Sequence, residues 1–300
     1  MSLNRLLFLM AGGLLCLSLW ACEGRRKQNP EAGFVTVTDD LGRSLQVPRQ
    51  PRRVMGLAPS ATEMLFAVAD KQQIIGRSQA CNYPAGAKDK PVVNTYPMDY
   101  EQLVMLQPDL VITVEGITSL ETAAKLAELH IPVYFQRFER VEDVLAGLED
   151  LGRLLGRPQR ARQVSDSLRA ALHLLQDKPA AGARKPRVLA ITWTDPIYVY
   201  GRNTLLTDKL KWIGAENALT ETFAQPYPAL TREYILKLDP DIILGGTFEK
   251  MERTFFTLYP ELRQVKAYRD KKVFAVDDDL MTRPGPRVVA SIRELKDLIH

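Results

Sequence analysis

Tyr100-Glu-Gln-Leu-Val-Met-Leu106-Gln-Pro108-Asp109-Leu-Val-Ile112 and Arg232-Glu-Tyr-Ile-Leu-Lys-Leu238-Asp-Pro240-Asp241-Ile-Ile-Leu244 decide the fold. Aligned end to end, they share Glu101/Glu233, Leu106/Leu238, Pro108/Pro240 and Asp109/Asp241, and their remaining positions are largely apolar in register. Each reads as a helix, a Pro-Asp turn that the helix cannot cross, and a short buried strand. A unit that occurs once in each half of the chain predicts two equivalent lobes.

The surrounding sequence fits such lobes. Val35 to Val47 alternates around Asp39-Asp40-Leu41-Gly42 and predicts a hairpin. Apolar runs follow at Arg53–Ala58, Ile74-Ile75, Val92-Val93, Leu110–Val114 and Val133–Phe135, with a helical pattern over Leu120–His130. Short apolar strands alternating with helices imply α/β architecture with mainly parallel sheets covered on both faces. Ser60-Ala61-Thr62-Glu63 matches a capping box and predicts Ser60 as a helix N-cap. In the second half, strands are expected at Val188–Thr192, Ile242–Leu244 and Val273–Val276, with helices at Thr204–Ile213 and 287–300.

Between the halves, Val141 to Leu155 keeps one helical face apolar, Gly156-Arg157-Pro158 interrupts it, and a new helix runs to about Lys178. At about 1.5 Å per residue it spans roughly 30 Å. The expected organisation is an N-terminal lobe over 34–155, a linking helix over 156–180 and a C-terminal lobe over 186–300, with a ligand cleft between two Rossmann-like lobes.

The N-terminus gives the compartment. Arg5, the uncharged apolar run Leu6–Trp20 and Ala21-Cys22 read as a signal peptide over 1–21. Its ending resembles a lipobox, which makes Cys22 the lipidated first residue, followed by a tether over 22–33. The expected product is exported and anchored to a membrane by lipid, facing the periplasm or cell surface. Cys16 leaves with the signal, so Cys81 is the one thiol without an assigned fate.

Composition narrows the function. A net charge of +4, less one when Arg5 is removed, is spread among acids and gives no nucleic-acid footprint. The three histidines, His130, His173 and His300, form no close pair in sequence, so no metal site is expected. No nucleophile elbow, zinc-protease helix or phosphate-binding loop occurs, so the chain is read as a non-enzyme without a cofactor.

Val37–Arg43, Arg53–Glu63, Asn82-Tyr83-Pro84, Pro108–Ile112 and Arg283-Pro-Gly-Pro-Arg287 stand in one order along the chain. In that order they resemble the substrate-binding proteins of ABC importers for iron-siderophores, haem and cobalamin. The corrinoid-binding branch is the best match, although it often carries tryptophan where this chain has Tyr96 and Leu280. The resemblance implies a monomeric carrier that captures a corrinoid, or a ferric chelate or haem, and delivers it to a permease dimer driven by a separate ATPase. It implies Tyr83, Tyr96, Tyr198, Asp279 and Arg283 as ligand-facing residues. It also implies one docking carboxylate per lobe: Glu101 in the first, and Glu261 by family match or Glu233 by internal repeat in the second.

Overall fold

The computed structural model describes residues 33–176 and 184–300. The signal peptide, Cys22, most of the tether and the end of the linking segment lie outside the described residues.

The chain is a two-lobed α/β protein with two mainly parallel sheets. It begins with an antiparallel hairpin, β1 (Phe34–Thr38) and β2 (Ser44–Pro48), as the alternation predicts. Asp39 fixes its turn and ties it to the first lobe. Its carboxylate accepts from the Arg43 backbone at 2.9 Å and from the Phe135 backbone at 3.3 Å.

The first sheet contains β3 (Val54–Gly56), β4 (Ile74–Ser78), β5 (Val92–Val93), β6 (Leu110–Val114) and β7 (Val133–Gln136). All pairings are parallel, in the order β5-β4-β3-β6-β7. Strand order therefore reverses between β3 and β6, as in a doubly wound dinucleotide fold. Helices α1 (Pro59–Val68), α2 (Tyr100–Leu106) and α3 (Leu120–Glu128) connect these strands. Alternate residues of a strand serve opposite layers: Val54 and Leu110 join the inner core, while Met55 and Val111 pack with Leu103 and Leu126 outside.

Two long helices follow, α4 (Val141–Leu154) and α5 (Pro158–Leu175). At 18 residues, α5 is about 27 Å long. The helices meet closely at Gly152, where an added Cβ would collide with the Cβ of Ala161.

The second sheet contains β8 (Arg187–Thr194), β10 (Glu216–Asn217), β11 (Ile242–Leu244) and β12 (Val273–Phe274), ordered β10-β8-β11-β12 and parallel throughout. Antiparallel β9 (Ile197–Val199) hangs from β8 and has no counterpart among the strands expected from sequence. This half includes α6 (Leu205–Trp212), α7 (Arg232–Leu238), α8 (Phe248–Arg253), α9 (Phe255–Leu258), α10 (Lys266–Arg269), α11 (Asp278–Thr282) and the closing α12 (Val288–Ile299). Gly214 follows α6 with φ +70° and is the left-handed residue after that helix end.

The internal repeat holds at atomic detail. Helices α2 and α7 both end on a left-handed residue, Gln107 (φ 46°) and Asp239 (φ 42°). Both are followed by Pro-Asp and a central strand. One hydrophobic core runs through the molecule: Val54, Leu110, Val144, Leu172, Val188 and Ile292 belong to the same cluster. Apolar burial at roughly 25 cal/mol per Å² therefore opposes separation of the lobes as well as unfolding of either one.

The capping-box expectation is corrected here. Ala58 is the N-cap of α1, Pro59 takes the first helical position, and no side chain caps the helix. A proline with φ preset for a helix start and no N–H to satisfy displaces the serine from the cap. Ser60 is buried inside the first turn, and the Glu63 carboxylate is engaged by Arg287 instead.

Candidate ligand-binding cleft

Parallel strands end where their following loops begin, and the reversal point leaves a gap between those loops. In the first sheet this gap lies between Ala58-Pro59-Ser60 after β3 and Glu115-Gly116-Ile117 after β6. These segments line a cavity of about 770 Å³, whose opposite wall is Tyr200, Leu206, Tyr227, Met281 and Arg283 of the second lobe. The second sheet has its own gap, between Ile191-Thr192 and Gly245-Gly246-Thr247, lining a cavity of about 610 Å³. Tyr200, Leu206, Met281 and Thr282 border both. The two cavities thus form neighbouring parts of one cleft, placed where both strand orders reverse.

Gly56 lets α1 start close to the sheet. A Cβ there would come within 2.7 Å of the Thr62 backbone nitrogen. Thr62 in turn accepts from the Cys81 thiol at 3.1 Å. Cys81 is buried and also within 3.1 Å of the Ser78 hydroxyl, so it ties the loop before Tyr83 to α1.

The aromatic wall comes from the second lobe. Tyr200 and Tyr227 meet edge to face, with ring centroids 5.4 Å apart at 74°. Burial pushes the Tyr200 phenol well above its ordinary range, so it stays neutral and acts as a donor at any physiological pH. Phe138 adds a ring from the first lobe.

Both arginines at the interlobe cavity are paired. Arg137 grips Glu115 in a fork at 2.6 and 2.8 Å. Glu63 is 3% exposed and receives both Arg287 nitrogens, at 2.8 and 2.6 Å, with Arg283 at 3.5 Å. Arg283 also holds Asp279 at 2.6 Å and the Asn82 side-chain oxygen at 2.5 Å, while the Asn82 amide donates to Asp279 at 2.9 Å. These bonds run between α1 and the Asn82 loop of one lobe and α11–α12 of the other. They balance two carboxylates against two guanidiniums.

Lys209 supports the same wall from behind. It is fully buried on α6, and its ammonium donates to the carbonyls of Leu280 and Met281 and to the Ser291 hydroxyl at 3.0, 3.3 and 2.8 Å. Burial pushes its pKa down to about 7, partly opposed by Glu294.

Among the residues expected from sequence, Asp279 and Arg283 line the interlobe cavity, and both are engaged in the ion-pair cluster. Tyr83 lies beside that cluster, with the Arg287 guanidinium 4.5 Å from its ring centroid. Tyr96 is 90% exposed and borders neither cavity. Tyr198 sits on β9, partly exposed, and borders neither cavity. Glu101 stands exposed in the first turn of α2, and Glu233 in the first turn of α7. Arg232 bridges Glu233 at 3.1 Å and Glu261 at 3.0 Å. Sequence reasoning did not select Tyr227, Glu115, Arg137 or Arg287. Arg287 and Glu63 were legible as members of motifs, but their pairing across more than two hundred residues was not.

A family model described as periplasmic binding protein matches residues 54–280. The chain belongs to the periplasmic binding protein family. Its matched segment starts at β3 and ends inside α11, so it takes in the first-lobe wall of the cleft and Tyr200, Leu206 and Tyr227 of the second. The chain is 26% identical to the uncharacterized ABC transporter substrate-binding lipoprotein YvrC of Bacillus subtilis, over 93% of this chain and 89% of that protein. It is 28% identical to the vitamin B12-binding protein of Pectobacterium atrosepticum, over 82% of this chain and 87% of that protein. Its fold matches that of a possible iron-binding periplasmic solute-binding protein of Staphylococcus epidermidis with a TM-score of 0.74 at 22% identity, covering 84% of this chain and 99% of the other.

The protein is therefore a periplasmic binding protein, a carrier of a small ligand and not a catalyst.

Proposed function

We propose that the ligand is a corrinoid, captured in the interlobe cleft and passed to the permease as cobalamin. The observation that carries this reading is the cleft itself: about 770 Å³ between two lobes, with Tyr200 and Tyr227 on one wall and its arginines already paired. Aromatic faces bury a flat macrocycle with little loss of conformational freedom. Similarity to proteins named for vitamin B12 binding supports the same ligand. In this reading Tyr83, Tyr96 and Tyr198 form outer contacts around the rim, and Asp279 and Arg283 form the edge next to Tyr83. A monomeric carrier then docks through one carboxylate per lobe. Glu101 is the first. Glu233 suits the second, because α2 and α7 are repeats and present their glutamates at the same helical position. Rim charges of this kind set orientation and association rate.

Equilibrium dialysis of the soluble chain, residues 23–300, against labelled cyanocobalamin tests the reading. Retention at one equivalent per chain, undisplaced by excess haemin, is expected. Free passage of cobalamin with retention of haemin or of a ferric siderophore overturns it.

A further inference from the structure

A cleft that lies between two arginine-bearing segments would ordinarily be read as an anion site, because guanidinium makes forked bonds with carboxylate and phosphate. Here the guanidiniums are spoken for. Arg283 lines the interlobe cavity, yet its side chain is only 13% exposed and is held by Asp279, Glu63 and Asn82. The carboxylate of Glu63 sits behind it, 1% exposed at its side chain, and is held in the same place by Arg287. Arg137, the other guanidinium lining this cavity, is forked onto Glu115, and Glu139 adds a further carboxylate. The neighbouring cavity carries one charge of each sign, Lys250 and Asp278. The interlobe wall thus presents both of its guanidiniums already paired.

We propose that Glu63, with Asp279, sequesters the Arg283 guanidinium and so makes the cleft selective for ligands without net negative charge. Glu63 is then a positioning residue that acts on specificity through Arg283, without touching the ligand. The inference deepens the corrinoid reading, which it rests on for the ligand class, but its physical content is the charge preference of the wall. Freeing Arg283 should create an anion site where the native protein has none.

The test uses two dyes of the same ring skeleton, neutral N-phenyl-1-naphthylamine and anionic 8-anilinonaphthalene-1-sulfonate, titrated by fluorescence into the soluble chain. The native protein should favour the neutral dye. Glu63→Gln should shift the ratio of affinities towards the anionic dye by about tenfold, the size of one charge-assisted bond gained. Adding Arg283→Ala to that variant should abolish the shift. Asp279→Asn, on a half-exposed residue whose change spares the core, should shift the ratio in the same direction and guards against misfolding of the Glu63 variant. A ratio unchanged by Glu63→Gln and Asp279→Asn, including absence of anionic dye binding throughout, overturns the proposal. So does a shift that persists without Arg283. Binding of cyanocobalamin by the native chain is measured in parallel; its failure removes the corrinoid reading and leaves the dye ratio to decide the charge preference on its own.

Discussion

Asp109 and Asp241 occupy the same place in the two halves of the molecule. Each follows a proline that ends a repeat helix, and each carboxylate accepts the backbone N–H of the arginine that starts the central strand: Arg53 at 2.9 Å and Arg187 at 2.9 Å. Those arginines return the bond, Arg53 to the carbonyls of Leu106 and Gln107 and Arg187 to that of Leu238. The Pro-Asp turn shared by the two sequences is therefore a structural lock that joins helix end to strand start in both lobes.

Asp109→Ala leaves the Arg52 and Arg53 backbone donors without their acceptor. The expected loss is about 2 kcal/mol, roughly 4–8 °C in Tm. Thermal unfolding followed by circular dichroism checks this; a change within 1 °C would show that the lock contributes little.

Glu101→Arg and Glu233→Arg reverse charges on exposed first turns, away from the cleft lining. Ligand affinity should stay within about twofold, while uptake by cells carrying the whole importer falls at least tenfold, as expected when like charges face each other at a docking rim. Normal uptake by either variant would remove that glutamate from the docking surface.

Tyr227→Ala removes the more accessible ring of the Tyr200–Tyr227 pair. Losing its burial against a macrocycle should cost about 2 kcal/mol, roughly thirtyfold in Kd. Tyr96→Ala, at a rim position, should cost less than fivefold. Calorimetry on both variants separates wall from rim, and equal losses would contradict the placement of the ligand.

Lys209 makes stability depend on pH in a defined sense. Its folded-state pKa, pushed down to about 7 by burial, lies below the ordinary lysine value of about 10.4. Between these values the unfolded chain binds the proton that the folded chain has lost, so this residue's contribution to stability rises with pH across that window. Below about pH 7 both states are protonated and the whole cost of burying the charge remains. The Tm of the native protein relative to Lys209→Met should therefore increase from pH 7 to pH 10. A difference that stays flat or falls would show that the three acceptors around Nζ keep the ammonium charged.

Much of the fold was legible because its signals are local. Pro108-Asp109 and Pro240-Asp241 end helices by their own backbone chemistry, and the runs at 110–114 and 242–244 carry no charged residue and are buried throughout. β9 was missed because Ile197-Tyr198-Val199 is short and differs from loop only through its pairing with β8. The cap of α1 was misassigned because serine at position 60 and proline at 59 compete, and the pattern weighs only the serine. The cleft was legible as a place, from the repeat, and Asp279 and Arg283 do line it. The state of Arg283 was not legible. Whether a guanidinium is free depends on Glu63, 220 residues away, and no periodicity carries that pairing.

Isothermal calorimetry of the soluble chain with cyanocobalamin tests the central claim most directly. A single saturable site with one equivalent bound, and a loss of affinity in Tyr227→Ala, is the predicted result. No heat with cobalamin, together with one-to-one binding of haemin or a ferric siderophore, would contradict it.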